Sequence, residues 1–293
     1  MNKIIWALLL IVSLTACEKN IDFNLKNAEN LLVVDGNIEN DRPPVIVLTK
    51  SLNFFSTVNP ALLLNSFVRN ADVTISNGIK THRLKEYATQ LSPGSIIYSY
   101  SIDSANLATA FVGAFNTTYT LNINADGKAY TATTTIPLLS KKPDSLWWKP
   151  APLNKDTSKV IMMVKVTDPP GLGNYGRYFT KKNSGLFLPG ENSAFDDQVI
   201  DNTTYEVRVD PGINRNNRIP FDSNYFKRGD TVTLKFCNID RPTYIFWSTW
   251  EFAFQSIGNP FAQPNKVIGN ISNGALGAFY GYAAFYKTLT IPK

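Results

Sequence analysis

The sequence predicts an all-β protein: two tandem β-sandwich-like domains of immunoglobulin or transthyretin type, with one aromatic-rich helix in the C-terminal domain. Three observations carry this reading. Segments such as Tyr119 to Ile123 and Tyr130 to Ile136 alternate apolar and polar residues with a period of two. Turn signals separate these segments at short spacing, Asn77-Gly78 and Asp126-Gly127 above all. A single stretch, Asp240 to Ile257, instead places apolar residues at helical spacing.

The chain opens with MNKIIWALLLIVSLTAC. Lys3 gives a basic start, and Ile4 to Leu14 is an apolar run shorter than the ~20 residues a permanent spanning helix needs. Thr15 and Ala16 lead into Cys17, so residues 1–16 read as a secretory signal peptide. The ending Leu14-Thr15-Ala16-Cys17 resembles the lipobox of bacterial lipoproteins. That resemblance implies cleavage before Cys17 and acylation of its thiol and its new amine. Two or more acyl chains make such an anchor stable, whereas one chain binds only marginally. Residues 17–30 then serve as the lipidated N-terminus and tether.

Residues 31–137 form the expected N-terminal sandwich. Leu31 to Ile38 is its first strand, with a possible bulge at Asp35-Gly36, and Asn40 to Pro44 is a turn into Val45 to Lys50. Ser51 to Phe67 is an apolar loop that covers a sheet edge, with a helical turn at Leu62 to Leu64. Ala71 to Gly78 and the return from Ile79 to Glu86 make one hairpin. The segments around Asp126-Gly127 make a second, which Pro137 ends.

Residues 138–144 are the expected linker and 145–293 the C-terminal domain. Lys159 to Val166, Asn174 to Thr180, Tyr205 to Val209 and Thr231 to Cys237 read as its strands, and Asp168-Pro-Pro-Gly171 as a turn. The helix is expected over 241–257, capped by Asp240, opened by Pro242 and ended by Gly258. Its stripe of Phe246, Trp247, Trp250, Ala253, Phe254 and Ile257 is either core or a ligand-facing aromatic wall, and core is the reading adopted. The Gly- and aromatic-rich tail has no P-loop spacing and reads as closely packed final strands.

The formal charge is +6, falling to +5 without Lys3, and no Lys/Arg run resembles a nucleic-acid footprint. Cys17 and Cys237 are the only cysteines, so lipidation leaves no intrachain disulfide. Cys237 shares parity with Thr231, Thr233 and Lys235, which places it on the less buried face as a small structural residue. The single histidine, His82, stands between Thr81 and Arg83 and reads as a surface residue. HExxH, His/Cys metal spacing and G-x-S-x-G are absent from the sequence, so no metal and no cofactor is expected. Glu191, Asp196, Asp197, Asp201 and Asp210 form a loose acidic stretch that lacks calcium-loop spacing and reads as solvated charge. Trp147 and Trp148 sit beside Pro150 near the domain junction. Strand neighbours point to opposite faces, so one of them is a candidate contact for a glycan, peptide or partner.

Several segments together resemble lipoproteins of the Bacteroidetes type classed as domain of unknown function 4249. They are Cys17 to Asp22, Leu32 to Ile38 with Asn40 to Pro44, Ala71 to Ile75, Phe226 to Asp230, the aromatic helix, Asn259 to Phe261, Gly269 to Ile271 and Gly277 to Tyr282. The resemblance covers nearly the whole mature chain and brings no catalytic residues with it. Such proteins are often encoded beside TonB-dependent outer-membrane receptors that begin with a carboxypeptidase-regulatory-like sandwich. The expectation is therefore a non-enzymatic outer-membrane lipoprotein that assists such a transporter or binds its substrate. The alternatives are a carboxylate-dependent surface hydrolase of glycans or peptides, and a structural or adhesive surface module.

Overall fold

Val34, Ile38, Ile46 and Leu48 bury one side of the first two strands, as their alternation requires. The computed structural model describes residues 30–52, 57, 59–92, 95–216, 224–259, 261–263 and 265–293. The leader, Cys17 and the tether up to residue 29 lie outside the described residues, as does much of the stretch 53–58. The N-terminal half contains β1 (Leu32–Glu39), β2 (Val45–Lys50), α1 (Pro60–Ser66), β3 (Asp72–Ser76), β4 (Thr81–Arg83), β5 (Lys85–Ser92), β6 (Ser95–Ser101), β7 (Thr117–Ala125) and β8 (Lys128–Ile136). The C-terminal half contains β9 (Pro143–Pro150), β10 (Lys159–Thr167), β11 (Tyr175–Lys182), β12 (Leu188–Phe195), β13 (Thr204–Val209), β14 (Phe226–Lys227), β15 (Thr231–Ile239), α2 (Arg241–Gln255) and β16 (Leu276–Thr290).

Local turn chemistry forms both hairpin turns, but the return expected over Ile79 to Glu86 stops at Arg83, and Lys85 and Glu86 instead open β5, which pairs with β6 in another sheet. Asp126 and Gly127 both take positive φ between β7 and β8. Asn77 Oδ1 accepts from the N–H groups of Ile79 and Lys80 in the turn before β4. The helical turn expected at Leu62 to Leu64 is the full helix α1, capped by Asn59 Oδ1 on Leu62 N at 2.9 Å. No bulge interrupts Asp35-Gly36, whose pairings run continuously on both sides.

The all-β expectation with one aromatic helix holds. An eight-stranded sheet, β12-β11-β15-β16-β1-β2-β6-β5, takes strands from both sides of the segment 138–144. The joint is a parallel pairing of β1 with β16, from Val33 with Leu276 to Glu39 with Tyr282. Gly277 permits it: φ is +85°, and a Cβ there would lie 2.0 Å from Val34 O. Two four-stranded sheets cover one face of the long sheet. In the N-terminal half, Val73, Ile75, Leu121 and Ile123 pack on Ile38, Ile46 and Phe279. In the C-terminal half, Val160, Met162 and Val164 pack on Val232, Leu234 and Phe236. Each half is thus a sandwich, and the two share the long sheet edge to edge. The segment 138–144 is docked on β15, where Lys141 N donates to Asn238 Oδ1 at 3.0 Å and Asn238 Nδ2 donates to Lys141 O at 2.6 Å.

Two placements are corrected. Cys237 is fully buried, because the opposite face of the long sheet is covered by α2 and packs into a third core with Ile239, Phe246 and Ala284. His82 is buried as well, only 1% exposed. It pairs with the inward-facing Ile75 across β3 and β4, and the loop after β6 closes over it. Asp103 N donates to His82 Nε2 at 3.0 Å, and Nδ1 meets Thr109 Oγ1 at 2.9 Å. Sequence neighbours report the strand's own parity, not what the chain lays over it later.

Candidate ligand cavity

The face of the long sheet that lacks a second sheet carries a cavity of ≈ 1420 Å³. Period-two alternation supplies its floor: Asp35, Asn37 and Glu39 from β1, Tyr280 and Tyr282 from β16, Lys235 from β15, Arg177 and Phe179 from β11. One wall is α2, which presents Phe246, Trp247 and Trp250. The helix is fixed from its first residue, since Asp240 Oδ1 accepts from Thr243 N at 2.9 Å. Phe187, Leu188 and Arg215 also line the cavity, Arg215 lying against α2 with its guanidinium carbon 5.1 Å from the Trp250 ring centre, and the strip before β16, with Lys266 and Ile268, forms the rim. The aromatic stripe therefore does both things open to it. Phe246 is buried core, Trp247 and Trp250 are half-buried in the wall, and Ile257, 77% exposed, leaves the stripe altogether.

The floor and its surroundings carry three polar clusters, centred on Arg177, Glu39 and Asp35. Arg177 is 2% exposed, with its guanidinium carbon 3.4 Å from the centre of the Trp247 ring and 4.7 Å from that of Phe179. It donates from Nη1 to the Tyr282 hydroxyl at 2.6 Å and from Nε to Ser193 Oγ at 3.0 Å. Ser193 donates its hydroxyl to Glu251 Oε1 and its backbone N–H to Oε2 at 2.9 Å. Arg215 approaches Glu251 Oε1 at 3.4 Å and donates to Gly190 O at 2.8 Å. Lys235 is paired with Glu39, which also accepts from Tyr286 and meets Arg42 at 3.2 Å. Tyr280 donates to Asp35.

Burial sets the protonation chemistry. It pushes Tyr280 and Tyr282 well above the usual phenol range, with Asp35 adding to the effect at Tyr280. It pushes the Cys237 thiol up to about 12, so the buried sulfur is held as a thiol. Burial pulls Arg215 below its ordinary value, opposed by Glu251. The cavity thus offers fixed cations, phenolic hydroxyls and aromatic faces, which are binding groups.

Cys17 lies outside the described residues. Trp147 and Trp148 are both half-buried on β9 and away from the cavity. Trp148 packs on the core of the C-terminal half beneath the Arg228 guanidinium, 4.7 Å from its ring centre. The acidic stretch does not gather in one place. Asp196 accepts from the Tyr244 hydroxyl at 2.9 Å, Asp210 pairs with Arg208 at 2.7 Å, and Glu191 is exposed. Asp197 and Asp201 do meet Asp168, with carboxylate oxygens within 4.8 Å of one another, a grouping that could ligate a cation. Each already has partners: Lys141 on Asp168, Gly173 N and Asn174 N on Asp197, and Gly171 N on Asp201. The ammonium of Lys141 is thus a resident cation at the cluster.

Sequence reasoning missed Arg177, Ser193, Arg215 and the role of Glu251. One signal was present: Glu251 is the sole acid inside the aromatic helix, beside its apolar stripe, and a lone charge there calls for a buried partner. A family model described as Domain of unknown function (DUF4249) matches residues 18–288. No curated protein gives a significant match.

Proposed function

The chain belongs to the domain of unknown function 4249 family, and from that premise we propose that it is a non-enzymatic binding lipoprotein of the outer membrane. In this reading Cys17 carries the lipid, and the protein captures a ligand at the membrane surface for a TonB-dependent transporter. The single observation that carries the binding role is the cavity. Its ≈ 1420 Å³ exceed the ~300–1,000 Å³ of ordinary small-molecule pockets, and its wall is aromatic with a few convergent polar groups. The lipobox-like Leu14 to Cys17 supports the anchor, and the family resemblance supports the transporter as partner.

A carboxylate hydrolase has weaker support. The acids of residues 191–210 are exposed or spent on hydrogen bonds and ion pairs. Asp35 and Glu39 stand four residues apart on one strand, about 13 Å along its backbone, and their carboxylates are held by different partners, Tyr280 for Asp35 and Lys235, Arg42 and Tyr286 for Glu39.

The test is fractionation and co-purification. The wild-type chain takes up labelled fatty acid and co-purifies with a large outer-membrane β-barrel in mild detergent. Cys17→Ser abolishes the label and releases the protein from membranes. A chain that is never labelled, or one that is isolated consistently alone, overturns the proposal.

A further inference from the structure

The lining of the cavity holds an unequal set of charges. Arg177 and Arg215 both turn to Glu251 Oε1, at 4.0 and 3.4 Å, and their side chains are only 2% and 10% exposed. Their other acceptors are neutral: the Tyr282 and Ser193 hydroxyls for Arg177, and the carbonyls of Gly190 and Glu191 for Arg215. Glu251 is itself shared further, since it also accepts from Ser193 and Ala194. Two guanidiniums thus divide one carboxylate. No other ion pair to either is present among the described residues. A buried charge without a full partner is costly, because the water it has lost is not replaced. Lys266 on the rim is exposed and adds a further cation. The floor's own acids do not restore the balance. Glu39 is paired with Lys235 and Arg42. Asp35 is hydrogen-bonded to the Tyr280 hydroxyl, the Glu191 carboxylate is exposed and acts on Arg215 only through space, and neither makes an ion pair with Arg177 or Arg215 among the described residues.

The apolar part of the cavity lies next to these cations. Trp250 and Phe187 are half-buried, Val33 joins them from the floor, and Ile268 and Leu276 stand exposed at the rim. We infer that the cavity takes an elongated organic anion, with an acidic headgroup seated at Arg177 and Arg215 and an apolar, ring-bearing body laid along Trp250. The headgroup supplies the missing negative charge through charge-assisted hydrogen bonds, which guanidinium forks form well with carboxylates. The body fills the aromatic wall. The inference rests on the reading of the cavity as a ligand site and names the class of ligand.

The experiment uses the full chain in lipid nanodiscs, titrated by calorimetry with naphthalene carboxylate and, separately, with its neutral carboxamide, empty nanodiscs being subtracted. The expected result is binding of the carboxylate about tenfold or more tighter than the carboxamide. Arg215→Gln erases that preference and Arg215→Lys retains part of it. Trp250→Leu weakens both compounds alike. Equal affinities in the wild-type chain, or a preference that survives Arg215→Gln, overturn the anion assignment and leave the cavity a binding site for another class. Failure of both compounds to bind overturns the assignment and counts against the cavity as a ligand site. Loss of the transporter partner with binding intact would instead strike only the proposed cellular role.

Discussion

Asp240 accepts the backbone N–H of Thr135 at 2.7 Å and so ties the start of the aromatic helix to the last strand of the N-terminal half. The same carboxylate caps the helix through Thr243 N and accepts the Thr134 hydroxyl at 3.0 Å. One side chain thus positions a cavity wall and joins the two halves. Asp240→Ala removes a cap contributing about 1 kcal/mol and strands a backbone donor at about 1 kcal/mol or more. The expected loss is about 2–3 kcal/mol in urea unfolding. Asp240→Asn, which keeps an acceptor, loses less. Equal stability of Asp240→Ala and wild type would contradict this role.

His82 makes stability depend on pH. Burial lowers its folded-state value below the ordinary 6.5, partly offset by Asp103. The geometry agrees, because Nε2 accepts the Asp103 N–H and cannot do so once protonated. The unfolded chain therefore takes up a proton first. The contribution is complete above pH 6.5 and is lost as pH falls from there through the lower folded value. Urea midpoints should fall more steeply with acidification in the wild type than in His82→Gln across that window. Parallel curves would show that His82 does not titrate as placed.

The parts of the fold legible in sequence were those written locally. Asn77-Gly78 and Asp126-Gly127 fixed two hairpin turns, and Asp240 with Pro242 fixed the helix start, because each acts within a few residues. The β1–β16 pairing was not legible, since a parallel partner near the far end of the chain leaves no turn signal. Cys237 and His82 were misplaced for a related reason. Strand parity identifies a face, but the cover over that face comes from α2 and from the loop after β6. The candidate site was half legible. Its aromatic wall appears as a helical stripe, whereas Arg177, Arg215 and Glu251 come from three separated segments and meet only in space.

Gly277 tests whether the two halves are one folding unit. An added Cβ would meet Val34 O at 2.0 Å, on a backbone with φ +85°. Gly277→Ala pays about 1–2 kcal/mol for the left-handed conformation and more for the clash, so about 3 kcal/mol or more in total. The β1–β16 ladder is the seam of the long sheet, so both halves should lose stability together in a single transition. Separate transitions, with only one half shifted, would show that the seam contributes little.

Glu251→Gln removes the carboxylate that two guanidiniums share and keeps the shape of the side chain. Breaking a buried charge pair on one side costs about 3–5 kcal/mol, because the cations remain without their counter-charge. If the loss comes from surplus positive charge, removing one cation should relieve it. The double variant Glu251→Gln/Arg215→Gln is then expected to lose less stability than the two single variants added together, by about 1 kcal/mol or more. A merely steric role for Glu251 predicts additive losses, because Arg215→Gln would not change how the glutamine packs against Ser193. Urea unfolding of the four proteins in one buffer separates the two cases, and additivity would remove the charge imbalance on which anion binding in the cavity depends.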